Sequence, residues 1–373
     1  MYIKELALYN FRNYSNETTR FADGVNVIYG LNAQGKTNLI EAVFYLATGR
    51  SFRSATDKDL INFNNDNATI KAIIMSFGRE QRLEARLCRG RRRMLFANEV
   101  KLKKASELSG KLTAVQFGPD DLNLVKEGAA VRRKLMDNCI SQLRPGYQAA
   151  ISEFNKLYEN KTRILRDYHE KPSLLELLDD FNKRLAGINS KLIVYRAAFI
   201  KSLSDRAFNI HKEFSGGKED LSISYKTVND MPAGDMSREE IHDVLLEHQS
   251  EKYQAEIKSG LCLSGSHKDD LIIDINGITA RKFASQGQAR TASISIKLAE
   301  RDIHFESSGE FPVLLLDDVL SELDSGRRDY ILGKIQQGQV LITTCEKDTA
   351  IETFDCLKIK VDNGVLSQGA FDT

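Results

Sequence analysis

At 373 residues the chain is too long for one compact core of ordinary size, so two domains are expected. Its 42% hydrophobic and 28% charged residues describe a soluble globular protein, and a net charge of +1 does not by itself advertise nucleic acid. No stretch approaches the roughly 18–20 consecutive apolar residues of a membrane span, and no charged-then-apolar signal opens the chain. The five cysteines (88, 139, 262, 345 and 356) are scattered without a CxxC or Cys/His cluster, which sets aside cysteine-bound metal and fits reduced thiols in a cytoplasmic protein.

In chain order, Val25-Asn26-Val27-Ile28-Tyr29 predicts a short strand. From Lys36 onward, Leu39, Ile40, Val43 and Leu46 recur at helical spacing. Between them stands Gly30-Leu31-Asn32-Ala33-Gln34-Gly35-Lys36-Thr37, a phosphate loop of the form GxxxxGK[ST]. A turn there aims backbone N–H groups at an anion, and the helix N-terminus adds partial positive charge. Lys36 is expected to reach the β- and γ-phosphates of ATP, and the Thr37 hydroxyl to hold Mg²⁺. Farther on, Arg89-Gly90-Arg91-Arg92-Arg93 predicts a tight turn that puts several arginines at a hairpin tip, able to neutralise DNA phosphates or to stand as a solvated loop.

The middle of the chain, from about Arg132 to Gly260, reads as helical, broken by the alternating strand Leu221–Thr227. Ser173-Leu174-Leu175-Glu176 predicts a capping box opening a long helix that ends at Gly216-Gly217. Ser237-Arg238-Glu239-Glu240 opens another. Late in the chain, Val313-Leu314-Leu315-Leu316 predicts a fully buried strand that emerges at Asp317-Asp318. Asp317 fits support of Mg²⁺, and Asp318 is placed to orient or deprotonate an attacking water. Gln339–Thr344 predicts a second buried strand.

These motifs, in this order, resemble the RecF family of recombination-mediator ATPases, relatives of SMC and Rad50 heads. The residues carrying the resemblance include Leu8–Tyr14, the phosphate loop, Thr48–Arg53, Pro119–Leu122, Arg132–Asp137, Gly265–Leu271, Ser285–Thr291 and Leu314–Asp324. The resemblance implies an α/β ABC-type ATPase head from residues 1–117 and 260–373, with an inserted, mainly helical lobe at 118–259. It implies ATP binding by Gly30, Asn32, Gly35, Lys36, Thr37 and Asn38, with Mg²⁺ at Thr37 and Asp317, and catalysis by Lys36, Asp317 and Asp318. Ser285, Gly287 and Gln288 match the signature stretch that completes the site of a second head, and Ser321 and Asp324 match the D-loop.

The function so implied is an ATP-dependent homodimer that clamps duplex, gapped or junction DNA and helps load a recombinase, with RecR- and RecO-like partners, slow DNA-stimulated hydrolysis and no membrane. The alternative is the head of an SMC- or Rad50-like structural or nuclease complex. The switch histidine of the wider class is missing, which leaves Thr343 or Thr344 near its place. Gln116 either watches the metal or caps a strand. Arg12 either meets nucleotide or serves surface structure, and His267 either touches nucleotide or is satisfied inside its lobe.

Overall fold

The structure, a computed structural model, describes residues 1–54, 56–345 and 356–368. It divides into two compact units, Met1–Asn123 with Lys297–Thr373, and Leu124–Ile296. In chain order the strands and helices are β1 (Tyr2–Phe11), β2 (Tyr14–Arg20), β3 (Val25–Tyr29), α1 (Lys36–Thr48), β4 (Asn67–Ser76), β5 (Arg79–Cys88), β6 (Met94–Ala97), β7 (Val100–Lys101) and β8 (Ala114–Phe117). Then follow α2 (Ala129–Leu143), α3 (Pro145–Asp167), α4 (Leu178–Phe214), β9 (Leu221–Lys226), α5 (Arg238–Ser259), β10 (Asp270–Ile275), β11 (Ile278–Thr279), α6 (Ala280–Phe283) and α7 (Gln286–Ser308). The chain closes with β12 (Val313–Asp317), α8 (Ser325–Lys334), β13 (Val340–Thr344), β14 (Leu357–Asp362) and β15 (Val365–Gln368).

The first unit holds two six-stranded sheets, ordered β2-β1-β4-β5-β6-β7 and β15-β14-β3-β13-β12-β8. The former is antiparallel and alternates: Ala68, Ile70, Ala72 and Ile74 of β4 turn inward between more exposed neighbours. In the latter, β12 lies between β13 and β8, parallel to both, and all five of its residues are buried. Helix α1 joins Leu39, Val43 and Leu46 to Ile70 and Ile74 of one sheet and to Leu315 and Leu341 of the other, in one apolar core. Phe44, Tyr45 and Glu41 on its remaining sides are buried too, as expected of a helix covered all round.

Glu41 explains Arg12. The guanidinium grips the buried Glu41 carboxylate through Nε and Nη2, each at 2.8 Å, and Nη1 donates to the Asp59 carbonyl. Arg12 therefore fastens β1 to α1, which favours the structural role left open for it, though within the fold and not on its surface.

In the second unit α4 packs against α3, α5 and β9, and α2 against β10, both strands belonging to the three-stranded sheet β11-β10-β9. Helix α4 spans 37 residues, about 56 Å at 1.5 Å per residue. The Ser173 capping box is not formed: residues Pro172–Leu177 make a 3₁₀ turn without a side-chain cap, and α4 starts at Leu178. Pro172 sets the chain into that tighter turn, which leaves Ser173 inside it instead of before it. Ser237 does cap α5, with Glu240 reciprocating.

The unit limits differ from the expected 117/118 and 259/260. The return to the first unit comes at Lys297, because β10 pairs with β9 and Ser266 donates to buried Asn189 of α4 through N (2.9 Å) and Oγ (2.6 Å). Arg196 of α4, also buried, binds Asp137 and Asp269 at 2.8 Å each and the Ser266 carbonyl at 2.7 Å. The Arg132–Asp137 and Gly265–Leu271 motifs thus form an ion-paired hub. In such a hub removing one charge is costly, because its partners stay buried.

Candidate nucleotide site and signature helix

The phosphate loop connects β3 to α1 and its shape demands glycine twice. Gly30 lies where a Cβ would stand 2.2 Å from the Val361 carbonyl oxygen of β14. Gly35 has φ +121°, and its Cβ would meet the Asn13 side-chain amide at 2.7 Å. Helix α1 starts with no side-chain cap and no acidic residue in its first turn. By contrast Ser237 caps α5 and Asp324 caps α8. The uncapped N–H groups and the helix dipole make the start of α1 suited to an anion.

Neighbouring segments brace the loop. Asn13 donates to the Gln34 carbonyl (2.7 Å) and accepts from Asn38 (2.8 Å), while buried Tyr14 donates to the Gly35 carbonyl (2.9 Å). The β14–β15 turn adds a bond from Gly364 N to the Gln34 carbonyl at 3.0 Å. Lys36 is buried, and its Nζ crosses the loop to the carbonyls of Gly30 (2.6 Å) and Leu31 (3.0 Å). Asn32 accepts from the Cys345 thiol at 3.1 Å.

Across from the loop, Asp317 ends β12 and is buried. Its Oδ1 accepts from Thr37 Oγ1 at 3.0 Å and from Thr343 Oγ1 at 2.8 Å. Burial pushes the Asp317 carboxyl up from its usual range; the two hydroxyls and the Arg53 charge oppose that, and Asp318 adds to it. A buried carboxylate served by hydroxyls converges with the Thr37 hydroxyl into a hard-oxygen donor pair, which fits a small divalent cation such as Mg²⁺. Gln116 Nε2 lies beside the same strand end: it is 2.8 Å, and the Asp317 carbonyl 3.7 Å, from where a Cβ on Gly118 would stand.

Asp318 differs from its neighbour. Its φ is +53°, a left-handed conformation uncommon outside glycine and asparagine. Its N–H donates to Thr343 Oγ1 at 2.9 Å, and its Oδ1 and carbonyl accept from Ser321 Oγ at 3.1 and 2.8 Å. Thr343 therefore clamps both aspartates, and Ser321 ties the D-loop to the second of them. Thr344 bonds instead to the Cys345 carbonyl. Asp324 caps α8 through Arg327 N at 3.0 Å.

Lys36, Thr37, Asp317, Asp318 and Ser321 thus form one constellation in the first unit, together with Thr343, which the sequence left undecided. Arg53 and Asn13 are additions that no motif assigned. Arg53 is exposed and donates to Asn38 Oδ1 at 3.1 Å. Both lie in segments whose pattern, Leu8–Tyr14 and Thr48–Arg53, was visible without a role.

Ser285, Gly287 and Gln288 belong to the second unit. Ser285 caps α7: its Oγ accepts from Gln288 N at 3.2 Å, and Gln288 Oε1 accepts from Ser285 N at 2.9 Å. This is a reciprocal capping box, Ser-x-x-Gln. Ser285 is exposed and its hydroxyl hydrogen stays available to an anion. His267 is held inside its unit: its Nε2 faces the Cys262 carbonyl at 2.9 Å, and its ring lies 4.7 Å from Tyr158 and 6.1 Å from Phe154. Burial pushes its pKa down to about 4, so it is a neutral packed side chain.

Gly90, with φ +69°, turns β5 into β6 as expected, but the arginine tip is smaller than the sequence suggested. Arg93 pairs with Asp57 at 3.0 Å, and Arg89 Nε donates to the Asn65 carbonyl at 3.0 Å. On β5, Arg82 meets Glu99 and Glu80, and Arg86 meets Glu84. Arg91 and Arg92 remain exposed with no ion pair among the described residues.

Among the described residues, no helix is long and apolar enough to cross a membrane. The family model for the RecF/RecN/SMC N-terminal domain matches residues 2–367. The chain is 37% identical over 349 residues to the DNA replication and repair protein RecF of Acetivibrio thermocellus, covering 93% of this chain and 94% of that one. It is 38% identical over 371 residues to the RecF of Clostridium acetobutylicum, covering 99% and 100%. The structure of the recombination mediator protein RecF-ATPrS in the RecFOR pathway superposes with a TM-score of 0.92 at 33% identity, covering 99% of this chain and 98% of that one.

Proposed function

The chain belongs to the RecF family, and from that membership we propose that it is an ATP-gated DNA clamp which closes as a homodimer and opens on slow hydrolysis. As a RecF-type ATPase of DNA repair and recombination with the head fold shared by RecF and SMC proteins, it binds ATP at the start of α1. The observation that carries the mechanism is the constellation around Asp317. One carboxylate oxygen collects Thr37 and Thr343, and the next residue is held in a strained conformation by Thr343 and Ser321.

In this reading the first-turn N–H groups of α1 and Lys36 bind the phosphates. Thr37 and Asp317 hold Mg²⁺, which when bound neutralises charge on the phosphates. Gln116 and Arg53 face the same region, and Asp318 orients the attacking water. Ser285 of a second copy, fixed at the start of α7, donates to the γ-phosphate and completes the site. Closure on duplex, gapped or junction DNA then marks a place for recombinase loading, with RecO- and RecR-like mediators as partners in the cytoplasm.

Sedimentation velocity without nucleotide, with ADP and with slowly hydrolysed ATP tests the shared site. A dimer is expected only with the ATP analogue, and both Lys36→Ala and Ser285→Arg should block it. A wild-type chain that stays monomeric with ATP analogue and duplex DNA would overturn the reading.

A further inference from the structure

The second unit contains a hydrogen-bonded chain that ends on the signature stretch. His211, in the last turn of α4, is fully buried, and its Nδ1 lies 3.3 Å from Ser295 Oγ of α7. Ser295 has one hydrogen for two acceptors, the Thr291 carbonyl at 2.9 Å and Nδ1; given to Nδ1, it leaves the single imidazole hydrogen on Nε2. On the other side Nε2 faces Glu219 Oε2 at 3.1 Å. The second oxygen of that carboxylate, Oε1, accepts from Gln288 Nε2 at 2.9 Å. Gln288 in turn holds the Ser285 N–H and receives Ser285 Oγ on its own N–H.

Glu219 is itself fixed. Its N–H donates to Ser215 Oγ at 3.2 Å, and the adjoining Asp220 exchanges bonds of 2.8 and 2.9 Å with Asn276. The turn that brings it there needs Gly216 and Gly217, at φ +63° and +78°.

A Ser-x-x-Gln capping box closes without help, so the Glu219 contact adds nothing to the ends of the helix ladder. It adds a fixed rotamer for Gln288, and through Gln288 a fixed place for the Ser285 hydroxyl. A carboxylate near a phosphate subsite also repels the phosphate unless its lone pairs are engaged, and here Gln288 and His211 engage both oxygens. We propose that Glu219, held by His211, is the positioning residue of the signature stretch, presetting Ser285 for the nucleotide of a second copy of this chain. This rests on the shared-site reading above.

Mixed variants test the two separately. A Lys36→Ala chain keeps its signature, and a Ser285→Arg chain keeps its phosphate loop, so mixing them leaves one intact composite site per heterodimer. Glu219→Ala should behave like Ser285→Arg. Alone it should need about tenfold more protein to dimerise on slowly hydrolysed ATP, the effect of losing one charge-assisted hydrogen bond. Its ATP affinity as a monomer should match wild type, and mixing with Lys36→Ala should recover the dimer.

Glu219→Gln keeps a carbonyl for Gln288 and, with the imidazole hydrogen moved to Nδ1 and Ser295 turned to the Thr291 carbonyl, donates its own N–H to His211 Nε2, and should rescue. If the Ser285→Arg mixture recovers but Glu219→Ala already dimerises like wild type, Glu219 has no positioning role and the shared site stands. If neither mixture recovers, the shared site fails and this proposal with it. Loss of monomer ATP affinity in Glu219→Ala, or failure of Glu219→Gln to rescue, would make the role structural and also overturn the proposal.

Discussion

Asp317 and Asp318 are identical in chemistry and adjacent in sequence, yet their surroundings assign them different work. Asp317 is buried with two hydroxyls on one oxygen, while Asp318 is half-exposed at φ +53° with its side chain turned to Ser321. Asp318→Asn keeps the shape and removes the base, so single-turnover hydrolysis should fall roughly 100-fold, the low end for loss of general-base help, while ATP affinity is retained. A wild-type rate from the Asn variant would remove Asp318 from the chemistry. Thr343→Val keeps volume but strips the hydroxyl that clamps both aspartates, orphaning the Asp318 N–H. About a tenfold lower hydrolysis rate is expected from this loss, measured at saturating ATP. His267 offers a pH test in the second unit. Unfolded, the imidazole takes a proton near pH 6.5, and folded only near 4. Between those values the unfolded chain holds the extra proton, so stability present above 6.5 is lost as pH falls, by about 3 kcal/mol over the window. His267→Phe should remove that portion of the acid sensitivity in urea melts at pH 7 and pH 4.5, and an unchanged difference between the two pH values would show that the imidazole titrates alike in the folded and unfolded chain.

Among the elements, β1 and β13 show how one side chain can do the work of a strand. The β1–β4 register shifts between Ile3 and Glu5. There Gln339, buried just before β13, accepts from Ile3 N at 2.8 Å and donates to the carbonyls of Ile3 and Ala22 at 2.8 and 2.7 Å. Gln339→Ala would leave these backbone groups unsatisfied, and roughly 3 kcal/mol of destabilisation is expected in urea melts, against little change for an exposed glutamine. This bond set was invisible in the sequence because its partners lie over three hundred residues away. What could be read was local. The strand β3, the start of α1, the all-apolar β12 and the Ser237 cap each follow from a few consecutive side chains. The Ser173 cap misled because Pro172 favours a 3₁₀ turn that the Ser-x-x-Glu pattern does not reveal. Likewise Arg89 and Arg93 looked like tip charges, since neither Asp57 nor the Asn65 carbonyl can be placed beside them without the fold. The site divided in the same way. Lys36, Thr37 and Asp317 were legible as motifs, whereas the choice of Thr343 over Thr344 depended on the register that sets Asp317 opposite Thr343.

For the whole molecule, a net charge of +1 forces any DNA affinity to come from local patches, and the ion pairs on β5 leave the hairpin tip with Arg91, Arg92 and the carbonyl-bonded Arg89 as its exposed charges without an ion pair among the described residues. Three such arginines per chain release few counterions, so a monomer should bind duplex DNA weakly and with a shallow salt dependence. If ATP joins two copies on one duplex, the number of neutralised phosphates doubles. The slope of log affinity against log salt should then be about twice as steep with slowly hydrolysed ATP as with ADP, each added phosphate contact contributing about 0.9. Arg91→Glu with Arg92→Glu should flatten both slopes while leaving ATP-driven dimerisation intact, because neither residue belongs to the nucleotide constellation. Fluorescence anisotropy of a labelled duplex across a salt series measures this directly. Equal slopes in ATP and ADP would separate dimerisation from DNA binding, and an unchanged slope in the double variant would move the DNA surface away from the hairpin.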